Sequence, residues 1–222
     1  MLQPATLLFL QQLSKHNNKE WFNANRAKYD AAKADFLAFT AQILHEITAI
    51  DPDLLPLQPK DCVFRINRDV RFSTNKSPYK TNMGAAFSKG GKKSALAGYY
   101  FHLEPGKSFV GGGIWMPEKE IIQKIRQEID YCWDEWKHLI AAKSFRQEYG
   151  DLSREEGMYL HREPKGYEKD NPAIAYLKLK SWVATKPLSD ADITNKSLIP
   201  IVIHAFKTLK PIVHFMNRAI EN

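Results

Sequence analysis

Phe64-Arg65-Ile66-Asn67-Arg68-Asp69-Val70-Arg71-Phe72 is the stretch that decides the fold class. Phe64, Ile66, Val70 and Phe72 alternate with Arg65, Asn67, Asp69 and Arg71, the period of a half-buried strand. Arg68 breaks the pattern by falling among the apolar positions. Working outward, residues 84–87 predict a second strand, and Lys89-Gly90-Gly91-Lys92 a turn. Two further strands, 98–103 and 109–115, flank Glu104-Pro105-Gly106-Lys107, a hairpin signal. Gly111-Gly112-Gly113 in the last of these marks a bulge, or the close approach of another backbone or a ligand. Residues 62–115 therefore read as one β block.

Helical patterns lie on both sides of this block. Residues 4–13 form a short apolar helix. Asn17 with Glu20 has capping-box spacing for the next one, whose apolar positions run through Tyr29, Phe36, Phe39, Ile43 and Ile47. Asp51-Pro52 ends it. After Pro117, the positions Ile122, Ile125, Ile129, Trp133, Trp136 and Ile140 continue a middle helix in steps of three and four. Residues 150–169 are polar and irregular, 173–179 predict a short helix and 181–184 a short strand. A long apolar stripe from Ile199 to Ile220 forms the last helix, with a kink expected at Pro211. Strands in one central block with helices before and after predict an α+β fold. We expect one mainly antiparallel sheet, covered by long N-terminal, middle and C-terminal helices, in a single domain over residues 1–222.

Composition narrows the function classes. With 44% hydrophobic and 26% charged residues, the chain reads as neither disordered nor a coiled-coil rod. No uninterrupted apolar run approaches the roughly 18 residues that span a bilayer, and the N-terminus reads as a helix start, not a secretion signal. Cys62 and Cys132 form neither a disulfide framework nor a metal cluster and read as buried small hydrophobes; a cytoplasmic setting is expected. Thirty-two Lys and Arg against 25 Asp and Glu give a net charge of +7. Nine of the cations, and only Asp61 and Asp69 of the anions, fall within residues 60–93, so this stretch holds the whole excess. It predicts a local positive field and an anionic partner, or else a solvated basic loop.

The block continues as Ser73-Thr74-Asn75-Lys76-Ser77-Pro78-Tyr79-Lys80-Thr81-Asn82. Together with Trp21-Phe22 and Tyr29, Gly98-Tyr99-Tyr100, Gly113-Ile114-Trp115 with Pro117, Pro164-Lys165-Gly166-Tyr167 and Lys180-Ser181, it resembles a bacterial and fungal family known only as domain of unknown function 2461. The resemblance covers nearly the full length. The family pattern more often carries Thr at the position of Val70 and Asp at that of Asn75. The resemblance implies a soluble single domain without an established activity, and so transfers no catalytic residue.

The residues themselves leave two readings of the block open. One is an anion site: Arg offers a planar fork of donors, Lys a point charge, and a turn cradles anions with backbone N–H groups. Its candidate ligand-binding residues are Arg65, Asn67, Arg68, Arg71, Ser73, Lys76, Tyr79 and Lys80, with Lys165 from an irregular segment that folds over them as a lid. The other is an ion-pair network pinning the loop to a helix. Arg68 needs a partner in either case: a carboxylate, a ligand anion or water. Lys89-Gly90-Gly91-Lys92-Lys93-Ser94 lacks the spacing of a phosphate loop. Trp115, Trp133 and Trp136 read as core. No cofactor or metal ligand set is recognisable.

Three functions follow in order. The first is binding of a phosphate-bearing or other anionic small molecule. The second is an enzyme on such a substrate, with Asp69, Tyr79 or His102 as general acid or base, although His102 beside Tyr100 and Glu104 reads more readily as a hydrogen-bonded structural group. The third is nucleic-acid binding, with Tyr99, Tyr100 and Phe101 as a stacking sheet. No membrane partner is expected.

Overall fold

The computed structural model describes all 222 residues. In chain order the elements are α1 (Pro4–Lys15), α2 (Lys19–Ala24), α3 (Arg26–Thr48), a 3-10 turn (Pro52–Leu54) and α4 (Pro59–Cys62). β1 (Met83–Phe87), β2 (Gly98–Leu103) and β3 (Ser108–Ile114) follow. Next come α5 (Lys119–Tyr131), α6 (Trp133–Ala141), α7 (Lys143–Tyr149), α8 (Ile174–Leu177), β4 (Trp182–Leu188), α9 (Asp190–Ile193) and α10 (Leu198–Glu221). The four strands form one antiparallel sheet in the order β1-β2-β3-β4, and the fold is α+β. Two compact units are built from interleaved segments: Met1–Lys92, Tyr100–Val110 and Pro187–His204 make the first, Lys93–Tyr99, Gly111–Lys186 and Ala205–Asn222 the second.

In the first unit, Phe36 and Phe39 of α3 pack on Phe101 of β2, the closer ring centroids 4.7 Å apart. In the second, Phe206 of α10 packs on Tyr99 of β2, and Trp136 of α6 on Phe215. Tyr99 and Phe101 share one strand face and both are buried; Tyr100 and His102 point to the other. By length and hydropathy α10 resembles a membrane-crossing helix. Its Val202, Phe206, Leu209, Val213 and Met216 nevertheless form a buried stripe, while Lys207, Pro211, His214 and Arg218 are exposed opposite it.

Several sequence expectations are corrected. Residues 64–72 form no strand. Only isolated bridges occur there, Val63 with Ala85 and Asn67 with Tyr79, and Phe72 is 96% exposed. The cause is local. The Asp69 carboxylate accepts from the Arg71 backbone N–H, and such a side-chain turn competes with a ladder. The helix cap is Asn18, which accepts from Trp21 N at 2.8 Å, and not Asn17. The second helical pattern breaks at Asn25 and the middle one at Cys132; Pro211 lies inside α10. β4 is longer than its periodicity indicates; as the last strand in the order it tolerates Pro187, which has no N–H to donate. Trp115 is exposed, not core. Cys132 is half-exposed, while Cys62 is buried and its thiol is pushed up to about 12 by that burial.

The glycine run is explained by backbone. At Gly113 (φ 121°) a Cβ would run into the Trp182 carbonyl of β4. We expect Gly113→Ala to lose about 1–3 kcal/mol of stability, from strain and displacement of β4 together. A chemical-denaturation midpoint unchanged from wild type would show that β3 and β4 are not in this close approach.

Candidate functional site

The basic stretch folds as an arm of the first unit. Phe64 N donates to Gly84 O at 3.0 Å, Lys80 N to Ile66 O at 2.8 Å and Arg68 N to Pro78 O at 2.9 Å. The pairing register shifts by two residues between the first of these bonds and the second, so Thr81 and Asn82 bulge out of the ribbon. A side chain from the first helical corner holds the arm. Asn17 Nδ2 donates to Tyr79 O at 2.9 Å, and Tyr79 N donates to Asn17 Oδ1 at 3.1 Å. One amide thus imitates a strand partner. The Tyr79 ring, 7% exposed, stacks on Phe22 of α2 at 3.9 Å between centroids. Tyr79 is therefore an anchor of the arm.

Most of the cations have local partners. Arg71 meets the Asp69 carboxylate at 2.7 Å, with both side chains largely exposed. Hydrogen bonds from the Arg71 side chain and backbone, then the charge of Arg65, hold Asp69 below the usual carboxylate range. Arg68 is half-buried and donates to Ser77 O at 2.9 Å and Ser73 Oγ at 3.3 Å. Its partner is thus the loop it closes, an arrangement outside the carboxylate, ligand or water expected from sequence. Lys76 donates to Val70 O at 3.1 Å. Asn67 is exposed beside the bridge to Tyr79.

Arg65 and Lys80 differ. Neither forms an ion pair with a carboxylate. Arg65 is exposed, and Lys80 is half-buried with its ammonium 5.4 Å from the centre of the Phe64 ring. Burial, then the neighbouring charge of Arg65, pushes the Lys80 pKa down.

Beyond Phe64 the face of β2 opposite Tyr99 and Phe101 carries a polar chain, partly exposed at Tyr100 and buried at His102. Tyr100 OH lies 3.3 Å from His102 Nδ1, and His102 Nε2 lies 3.1 Å from Glu104 Oε2. An ionised carboxylate only accepts, so Nε2 carries the ring proton and Nδ1 accepts from Tyr100. Thr81 from the bulge donates to Glu104 Oε1 at 3.1 Å, and Asn82 Nδ2 lies 3.2 Å from His102 Nε2. Phe109 of β3 stacks on the His102 ring at 4.7 Å. Gly84 makes room for this: a Cβ there would run into the Tyr100 hydroxyl. Burial, reinforced by Glu104, pushes the Tyr100 hydroxyl up to about 12, so it stays neutral and remains a donor at physiological pH.

Arg65 and Lys80 thus remain as candidate ligand cations of the arm, and the Phe64 ring beside Lys80 packs against Tyr100. Lys165 belongs to the second unit, exposed before Gly166. In that unit Met116 (φ 41°) is the one non-glycine residue at positive φ, and its N–H donates to the buried Ser181 Oγ at 2.8 Å. The family model for a conserved hypothetical protein, DUF2461, matches residues 5–215. The chain belongs to the DUF2461 family. No curated protein and no solved structure matches it at a significant level. The DUF2461 match spans both units, and so includes the arm, β2 and the Met116–Ser181 corner.

Sequence reasoning missed the clamp made by Asn17 and the parts played by Thr81, Asn82 and Phe109. The alternation of Tyr100, His102 and Glu104 along one strand was legible. The two-residue bulge opposite them had no signal in the sequence.

Asn17→Ala leaves the Tyr79 N–H and C=O without this partner and should cost about 1–3 kcal/mol. Asn17→Asp keeps the acceptor but sets an oxygen against the Tyr79 carbonyl, so it should be the more destabilised variant at neutral pH and recover as the carboxyl protonates. Equal midpoints for both variants and wild type in urea would refute the clamp.

Proposed function

We propose that the protein binds a phosphate-bearing small molecule through Arg65 and Lys80. The observation that carries this is two adjacent cations without a carboxylate partner, one of them half-buried. A half-buried ammonium beside another cation is unfavourable until an anion arrives. An anion between them relieves the repulsion and returns Lys80 to its ordinary pKa. Phosphate suits the pair because the guanidinium supplies a fork of donors and the ammonium a point charge.

The sign of the pH effect follows. Without ligand the folded protein binds the Lys80 proton less tightly than the unfolded chain does. Stability from this group therefore rises with pH between the lowered folded pKa and the ordinary lysine value near about 10.4. Lys80→Met should raise the melting temperature without ligand and abolish the rise that millimolar inorganic phosphate gives wild type, a few degrees at low ionic strength. Equal phosphate responses in wild type and Lys80→Met would overturn the assignment.

The Tyr100–His102–Glu104 chain supports a second reading, an enzyme acting on the phosphorylated ligand. Turned from His102 to the ligand, the neutral Tyr100 hydroxyl can give its proton to the leaving oxygen as water attacks phosphorus and the P–O bond breaks, and a proton of that water returns to the tyrosinate. Release of inorganic phosphate from a panel of phosphomonoesters, lost in both Tyr100→Phe and His102→Gln, is the expected result. Activity undiminished in both would remove the reading.

A further inference from the structure

We propose that the ligand carries an aromatic base as well as a phosphate: the face formed by Phe64, Tyr100 and Phe109 is a stacking surface for a nucleoside monophosphate whose phosphate lies on Arg65 and Lys80. This deepens the anion-site reading above and rests on it.

The rings form a continuous row. Phe64 and Tyr100 are 6.3 Å apart between centroids, Tyr100 and Phe109 5.7 Å, and Phe109 lies 4.7 Å from His102. Phe64, Tyr100 and Phe109 are all partly exposed, whereas Tyr99 and Phe101 on the opposite face of β2 are 1% and 0% exposed. Half-exposed aromatic rings in a row are unusual beside an open cationic pair, because burying them under helices would be the ordinary use of such area. The cations flank the first ring, with the Lys80 ammonium facing Phe64. Phe64 meets Tyr100 edge to face and Tyr100 is tilted to Phe109, so a base one sugar away from the phosphate stacks on a single ring of the row, Tyr100 or Phe109. Stacking tolerates any base, since each has a π-face. A polar group edges the row: the Asn82 amide lies 3.2 Å from His102 Nε2 and 3.4 Å from Nδ1.

The occupant is a free nucleotide, not a strand. Two cations match one phosphate, whereas nucleic acid needs a row of them along the backbone. The other basic side chains of the arm are turned to Asp69 and to loop carbonyls.

The test is calorimetric titration of the intact protein with AMP, ribose 5-phosphate, inorganic phosphate and decaadenylate, supported by the NMR shifts of the AMP base protons. AMP should bind about tenfold more tightly than ribose 5-phosphate, with its base protons moved upfield by the rings. Phe109→Leu, which keeps apolar bulk, should remove that advantage and leave phosphate binding intact; circular dichroism and the phosphate response confirm that the variant is folded. Equal affinity for AMP and ribose 5-phosphate overturns the stacking surface but leaves the anion site standing. No binding of any phosphate overturns both. Tighter binding of decaadenylate than of AMP, with a steep salt dependence, overturns the free-nucleotide assignment.

Discussion

Two hydrogen bonds between the Asn17 amide and the Tyr79 backbone, backed by the Phe22–Tyr79 stack, hold the basic arm to the helical corner of the first unit. The arm has few ladder bonds of its own and ends in a loop whose apolar residue, Phe72, faces solvent. Its position therefore comes from this one side chain and from the bonds joining residues 64–68 to 78–84. With Tyr79 fixed, Lys80 and the Thr81–Asn82 bulge are fixed as well, and through them the contacts to Glu104 and His102. An anchor of this kind suits a segment with many like charges, which would otherwise repel one another and stay extended.

Self-pairing within the arm decides which charges remain available. Asp69 takes Arg71, the loop carbonyls take Arg68 and Lys76, and what is left is Arg65 with Lys80. The charge excess of residues 60–93 is therefore not one uniform row of free cations within the arm. Burial, then the neighbouring charge of Arg65, disfavours the charged form of Lys80 where it sits. The stability lost there is balanced elsewhere in the same unit, where Phe36, Phe39 and Phe101 are fully buried.

Around the polar chain on β2, glycine does structural work that a larger residue would prevent. Gly84 gives the Tyr100 hydroxyl its place beside His102, and Gly113 lets β3 and β4 approach in the second unit. The Tyr100–His102–Glu104 chain is satisfied by its neighbours and nearly buried at its centre, with His102 at 9% exposure. It orders the sheet face whether or not a proton ever moves along it.

The α+β class, the four strands (the last only in its first residues) and the long first and last helices were legible from the sequence, because the pleat and the helical turn impose spacings that side chains must follow. The hairpin at Glu104–Lys107 was legible from turn chemistry, and the confinement of charge to residues 60–93 from counting. The alternation of residues 64–72 misled, since a local Asp69 turn outcompeted a ladder with no long-range partner. Which arginines are paired, that Asn17 clamps instead of capping, and that Thr81 and Asn82 bulge toward Glu104 and His102 were decided only in three dimensions. Each depends on residues dozens of positions apart meeting at hydrogen-bond distance, and no local spacing encodes such a meeting.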